Sequence, residues 1–134
     1  MSAQPSSAIS VAHVSRWYGN VVAVNDISFE VDGGITGLLG PNGAGKTTTI
    51  GVITSLVNKS SGTVSVFGHD IDRELTLAKS CIGLVPQEIN LNLFEKILNV
   101  VVTQAGYYGL NRKIAMERAE RYLNQLQLWD RRHD

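Results

Sequence analysis

The chain of 134 residues holds one cysteine, three prolines and no apolar run near twenty residues, and its charges cancel at twelve basic against twelve acidic. Each shortage removes a class of protein. A lone Cys81 excludes an internal disulfide and fits a reducing cytosol. It follows Ser80 at the head of an apolar run, so it reads as buried core. Without a run of roughly 20 apolar residues no helix crosses a bilayer, so any membrane association is expected through another protein. A net charge of zero gives no reason to expect nucleic acid or acidic lipid as the main partner. The opening Met1 to Ser7 has neither the basic segment nor the apolar core of a signal peptide; residues 1–8 are expected to be a disordered lead-in.

Glycine, by contrast, is plentiful, and three glycines fall in one stretch: Gly40-Pro41-Asn42-Gly43-Ala44-Gly45-Lys46-Thr47, followed by Thr48. It fits G-x-x-x-x-G-K-[ST], the phosphate-binding loop. Glycines at 40, 43 and 45 let the backbone turn tightly and bring its N–H groups onto phosphate oxygens. Lys46 is placed to reach the β/γ oxygens, and the Thr47 hydroxyl to fill a position on Mg²⁺. A helix starting near Gly45 adds its positive end. The flanks suit the motif. Ile35 to Leu39 is apolar enough for a buried strand, and Ile50, Ile53 and Leu56 or Val57 recur at helical spacing. The stretch predicts a nucleoside triphosphate site.

Elsewhere the pattern predicts short strands over 9–14, 21–24 and 27–31, the last two parted by Asn25-Asp26, forming an antiparallel sheet ahead of the loop. His13, on the polar phase, reads as solvated surface. A strand over 63–67 ends at Gly68-His69-Asp70, with His69 exposed; residues 74–79 suit a short helix. Cys81 to Val85 reads as a fully buried strand ending at Pro86-Gln87, a place where sheet edges present polar side chains to ligands. Two helices follow: one over about 93–108 with Gly109 as C-cap, and one capped by Asn111. In the second, Ala115, Ala119, Tyr122, Leu126 and Trp129 form a stripe, and Glu117 and Arg121 an i,i+4 pair.

The stretch from Gly37 to Ile50 resembles the nucleotide-binding domain of ATP-binding cassette (ABC) transporters. Three neighbouring pieces are similar to the same family: Trp17-Tyr18-Gly19 to its aromatic A-loop, Ser60 to Asp70 to the segment after the loop helix, and Gly83-Leu84-Val85-Pro86-Gln87 to its Q-loop. With Tyr107-Tyr108-Gly109, the likeness is to subunits of ABC-2-type, multidrug-like exporters. The resemblance implies an α/β fold over 9–134: a P-loop core, an antiparallel β subdomain before it, and the start of an α-helical subdomain from about residue 88. It implies that Tyr18 stacks on adenine while Trp17 packs in the core, and that ATP and Mg²⁺ are the cofactors. Gln87 would bring its amide oxygen to Mg²⁺ or the attacking water, making Lys46 and Gln87 an incomplete catalytic set. Glu88 is either a contact with a membrane subunit or surface. The implied partners are a transmembrane permease subunit and a second nucleotide-binding domain in a head-to-tail dimer. The implied place is the cytoplasmic face of the cell membrane.

Departures from the family are equally plain. The Ser-Gly-Gly signature, the apolar strand ending in Asp-Glu and the switch histidine are missing; His133 comes too early and without that strand. Gly34 stands where the family usually has Glu. The resemblance is to the first half of a nucleotide-binding domain, and the alternative is a non-catalytic fragment that competes for partners. Hydrolysis by this chain alone is expected to be negligible, because the water-activating carboxylate is lacking; steady-state phosphate release above background would contradict that. A GTPase is disfavoured because Asn58-Lys59-Ser60-Ser61 lacks the Asp of the guanine motif, and a small kinase because no Arg-rich lid is present.

Overall fold

A computed structural model of the protein describes residues 7–88 and 92–134. Most of the expected lead-in, residues 1–6, lies outside them. Internal contacts divide the chain into two units, Met1–Leu84 and Val85–Asp134.

The first unit is organised on one long antiparallel ribbon, β1 (Ile9–Tyr18) against β2 (Val21–Val31), running from the pair Ile9 and Val31 to the pair Tyr18 and Val21. The two strands expected at 21–24 and 27–31 are a single one. Their Asn25-Asp26 turn signal is absorbed by a bulge, with Asp26 at φ 48° facing His13 at φ 52°. Side chains hold the irregular backbone there. The His13 N–H donates to Ser28 Oγ (2.9 Å), the Asp26 N–H donates to Ser15 Oγ (2.8 Å), and His13 Nδ1 lies 2.8 Å from Asp26 Oδ1. His13 is exposed, as its phase suggested.

Beyond β1 come β3 (Ser61–Val66) and the two-residue β4 (His69–Asp70), giving the order β2-β1-β3-β4, antiparallel throughout. Helix α1 (Lys46–Ile53) and the short α2 (Leu75–Ser80) complete the unit. The core is small and rich in valine: Val11, Val14, Val52, Val64 and Val66 are all at most 3% exposed, joined by Ile71 and Ala78. Full burial of such side chains contributes roughly 1.5–3 kcal/mol each, an upper estimate. Helix α1 turns Thr49 and Val52 inward, and of the row that spacing suggested Ile53 and Val57 pack against this core while Ile50 and Leu56 are exposed.

Two expected strands are absent. Ile35 to Leu39 and Cys81 to Val85 form no regular structure; Ile35, Leu39 and Val85 are each more than nine-tenths exposed. A fully buried strand needs hydrogen-bonding neighbours and cover on both faces. Among the described residues no strand pairs with either segment. Cys81, expected in the core, is consequently exposed.

The second unit is a pair of helices, α3 (Ile97–Tyr107) and α4 (Arg112–Gln125), followed by a 3-10 turn at Trp129–Arg131. Asn111 caps α4 as expected, its Oδ1 accepting from the Ile114 N–H at 2.9 Å. Gly109, at φ 84°, follows the last turn of α3. At the other end of α3 the Leu98 and Ile97 N–H groups donate to the carbonyls of Arg132 (3.0 Å) and Asp134 (3.2 Å). These satisfy two of the donors that every helix start leaves unpaired. Beside that start Asn99 Nδ2 donates to Glu95 Oε1 at 2.6 Å, and this bond, ahead of one from the Lys96 N–H, draws the Glu95 carboxyl below its ordinary value.

The unit's core is Leu98, Ala119 and Leu123, with Met116, Leu128 and Trp129 against it. The stripe of α4 is therefore Ala115, Ala119 and Leu123, whereas Tyr122 and Leu126 are exposed. The Glu117–Arg121 pair is not formed among the described residues; Arg121 stands 5.5 Å from the centre of the Tyr122 ring. No described helix is long and apolar enough to cross a membrane.

Candidate functional site

The loop from Gly40 to Thr48 folds as its composition dictates. The Ala44 N–H donates to the Pro41 carbonyl at 3.1 Å, closing a turn. Gly45 then enters α1 with φ 92° and ψ 11°, a left-handed conformation open to glycine and strained for other residues. Space demands glycine as well. A Cβ at this position would lie 2.7 Å from the Ala23 carbonyl oxygen and 3.0 Å from Val24 Cγ2. The backbone of the loop is pressed against β2.

Thr49 fixes the first turn from below: it is buried, and its Oγ1 donates to the Gly45 carbonyl at 2.8 Å. Above it the N–H groups at the helix start have no intrahelical partner, by the geometry of any α-helix, and the peptide dipoles add positive potential there. Lys46, half-buried, folds its ammonium back onto the Gly40 carbonyl and thus keeps a cation across the loop. Thr47 is exposed and Thr48 half-buried. Between these residues and β2 lies a cavity of about 350 Å³, lined by Val21, Val22 and Ala23 on the strand side and by Asn42, Gly43, Gly45 and Lys46 to Thr48 on the loop side. Donors, a dipole and one cation around such a space suit a polyphosphate.

Tyr18 arrives at the same end. It pairs in register with Val21, itself a wall of the cavity, and is 47% exposed. Its neighbour Trp17, expected in the core, is 45% exposed. The hairpin between β1 and β2 thus presents both aromatics. Sequence reasoning missed Arg16. Its guanidinium lies over the Tyr18 ring, 4.2 Å from the centroid. Residues i and i+2 of a strand share a face, so the signal was present.

Gln87 belongs to the second unit, in an exposed bend with Glu88. Lys46, Thr47 and Tyr18 are all in the first. Among the described residues no three His, Cys, Asp or Glu side chains group to hold a metal. His69, part exposed, sits 2.8 Å from Glu74 and outside the loop.

Comparison with known proteins agrees with this geometry. The family model for ABC transporters matches residues 24–134. The linearmycin resistance ATP-binding protein LnrL of Bacillus subtilis (strain 168) is 39% identical over 127 residues, 94% of this chain and 41% of that protein. The Nod factor export ATP-binding protein I of Rhizobium meliloti (strain 1021) is 42% identical over 112 residues, 83% of this chain and 33% of that protein. A solved structure of an ATP-binding subunit of an ABC transporter superposes with a TM-score of 0.79 at 26% identity, covering 95% of this chain and 53% of that one. The chain therefore spans about two fifths or less of these two relatives, and about half of the solved subunit. The family match over residues 24–134, with these relatives, shows that the chain belongs to the ABC transporter ATP-binding family.

Proposed function

We propose that the chain binds ATP with Mg²⁺ as the nucleotide-binding component of an export-type ABC transporter. The observation that carries this reading is the phosphate loop packed against β2, with Tyr18 at the hairpin end of the same ribbon. Lys46, the α1 N-terminus and the loop amides hold the phosphates, Thr47 binds the cation, and Tyr18 offers a π face to adenine. Gln87 keeps, as a proposal, the part implied by the family likeness: reporting on the cation and γ-phosphate. The export relatives, one named for linearmycin resistance and one for Nod factor export, support a permease subunit as partner and a position on the cytoplasmic face of a membrane. A second nucleotide-binding domain would complete the ATPase.

A second reading, a non-catalytic fragment, has one observation in its favour. Ile35, Leu39 and Val85 expose apolar surface that no described strand covers.

Comparing Mg-ATP with Mg-tripolyphosphate separates base from phosphate recognition. Tyr18→Ala is expected to weaken ATP by about 5- to 100-fold, the range of aromatic–base stacking, and to leave tripolyphosphate unchanged. Calorimetric titration of both ligands checks it. Equal losses, or none, would remove Tyr18 from the base site.

A further inference from the structure

We infer that Arg16 is a positioning residue for the nucleotide base, holding one face of the Tyr18 ring and tuning the other. Three observations carry this. The guanidinium carbon lies 4.2 Å from the centre of the Tyr18 ring, within the range of a cation–π contact. Arg16 Nε is buried and has no hydrogen-bond partner, so this end of the side chain is not held by a conventional polar contact. Arg16 also takes part in no ion pair among the described residues, which leaves the ring as the contact that fixes its charged head.

The chemistry follows from the ring's quadrupole. An aromatic ring stacked on a cation has one face occupied, so a base can stack only on the other. The cation draws π density toward itself and makes the opposite face a better partner for an electron-rich ring such as a purine. It also removes rotamer freedom from Tyr18 before the nucleotide arrives, which lowers the ordering cost of binding. A tyrosine at an exposed hairpin end, otherwise free to turn, is thereby held in one orientation.

The inference rests on the reading of Tyr18 as the adenine-stacking residue, and the test separates the two. Affinities of the 134-residue chain for Mg-ATP and Mg-tripolyphosphate are measured by calorimetry for the parent, Arg16→Met, Arg16→Lys, Tyr18→Ala and the double variant. The readout is the ratio of the two affinities. Any loss of folded population lowers both by the same factor, so it cancels in the ratio.

Arg16→Met is expected to weaken ATP about two- to five-fold relative to tripolyphosphate. Arg16→Lys, which keeps the charge without the planar fork, is expected to recover part of that, and it carries the test if the methionine variant does not fold. In the Tyr18→Ala background Arg16→Met is expected to change the ratio no further. An unchanged ratio in Arg16→Met, with the Tyr18→Ala loss intact, overturns the inference alone. Equal weakening of both ligands leaves the ratio unchanged and overturns it in the same way. An unchanged ratio in Tyr18→Ala sinks the stacking reading and the inference together.

Discussion

Lys46→Ala is expected to lower the affinity for Mg-ATP by about 10- to 100-fold, with a similar loss for tripolyphosphate. Lys46 is the loop's one cation, and its ammonium already spans the loop to the Gly40 carbonyl. Charge-assisted hydrogen bonds contribute roughly 1.5–3 kcal/mol, which corresponds to that factor. The loss is expected on both ligands because the role proposed for Lys46 is to meet phosphate and not base, the opposite of the pattern expected for Tyr18. Stability without ligand should stay within about 0.5 kcal/mol, since the bond given up is on an exposed loop. Calorimetric titration beside thermal unfolding checks both halves. A variant that binds ATP as the parent does would show that the loop is not the phosphate site.

Gly62→Ala is expected to cost at least about 3 kcal/mol, lowering the unfolding midpoint by roughly 10 °C or removing the cooperative transition. Gly62 sits at φ 91° in β3, where the pairing with β1 slips between Ala12–Thr63 and Ser15–Ser61. His13 and Val14 stand there opposite Gly62 alone, so β1 carries one extra residue. A Cβ on Gly62 would collide with the His13 carbonyl and with Val14 Cα, both backbone atoms in the centre of the sheet. Relief would need the ribbon itself to move. Gly34, at φ 95° with open space around it, supplies the control. Gly34→Ala carries only the left-handed penalty, about 1–2 kcal/mol. Equal effects of the two substitutions in a denaturation series would mean that the crowding at the bulge is not real.

The elements that were legible in the sequence are those specified by local chemistry. The phosphate loop reads directly, because glycine positions, Lys46 and the helix start lie within nine residues. Asn111 reads as a cap because its partner, the Ile114 N–H, is three residues away. Misreadings arose where a distant neighbour decides. Ile35 to Leu39 and Cys81 to Val85 have the composition of buried strands, yet strand formation needs a partner, and none of the described residues supplies one. The Asn25-Asp26 signal was spent on a bulge because Ser15 and His13, over ten residues away, hold Asp26 there. On α4 the spacing pointed to Tyr122, and packing against Leu98 selects Leu123 instead. Arg16 belongs to no motif, unlike the two aromatics that follow it. Its contact with Tyr18 is a strand-face neighbour rather than part of any pattern.

The central claim is that this chain holds a working ATP site, and thermal unfolding with and without Mg-ATP tests it most directly. A ligand that binds only the folded form stabilises it by RT ln(1 + [L]/Kd), about 2.7 kcal/mol at a hundredfold excess over Kd. For a chain of this size that is a rise of several degrees. The account predicts one cooperative transition whose midpoint Mg-ATP raises, and a smaller rise in Lys46→Ala at the same concentration, about 0.4–1.4 kcal/mol for a 100- to 10-fold weaker site. A midpoint that Mg-ATP leaves unmoved in the parent, or no cooperative transition at all, would contradict it and leave the phosphate loop a feature of sequence without a function in this chain.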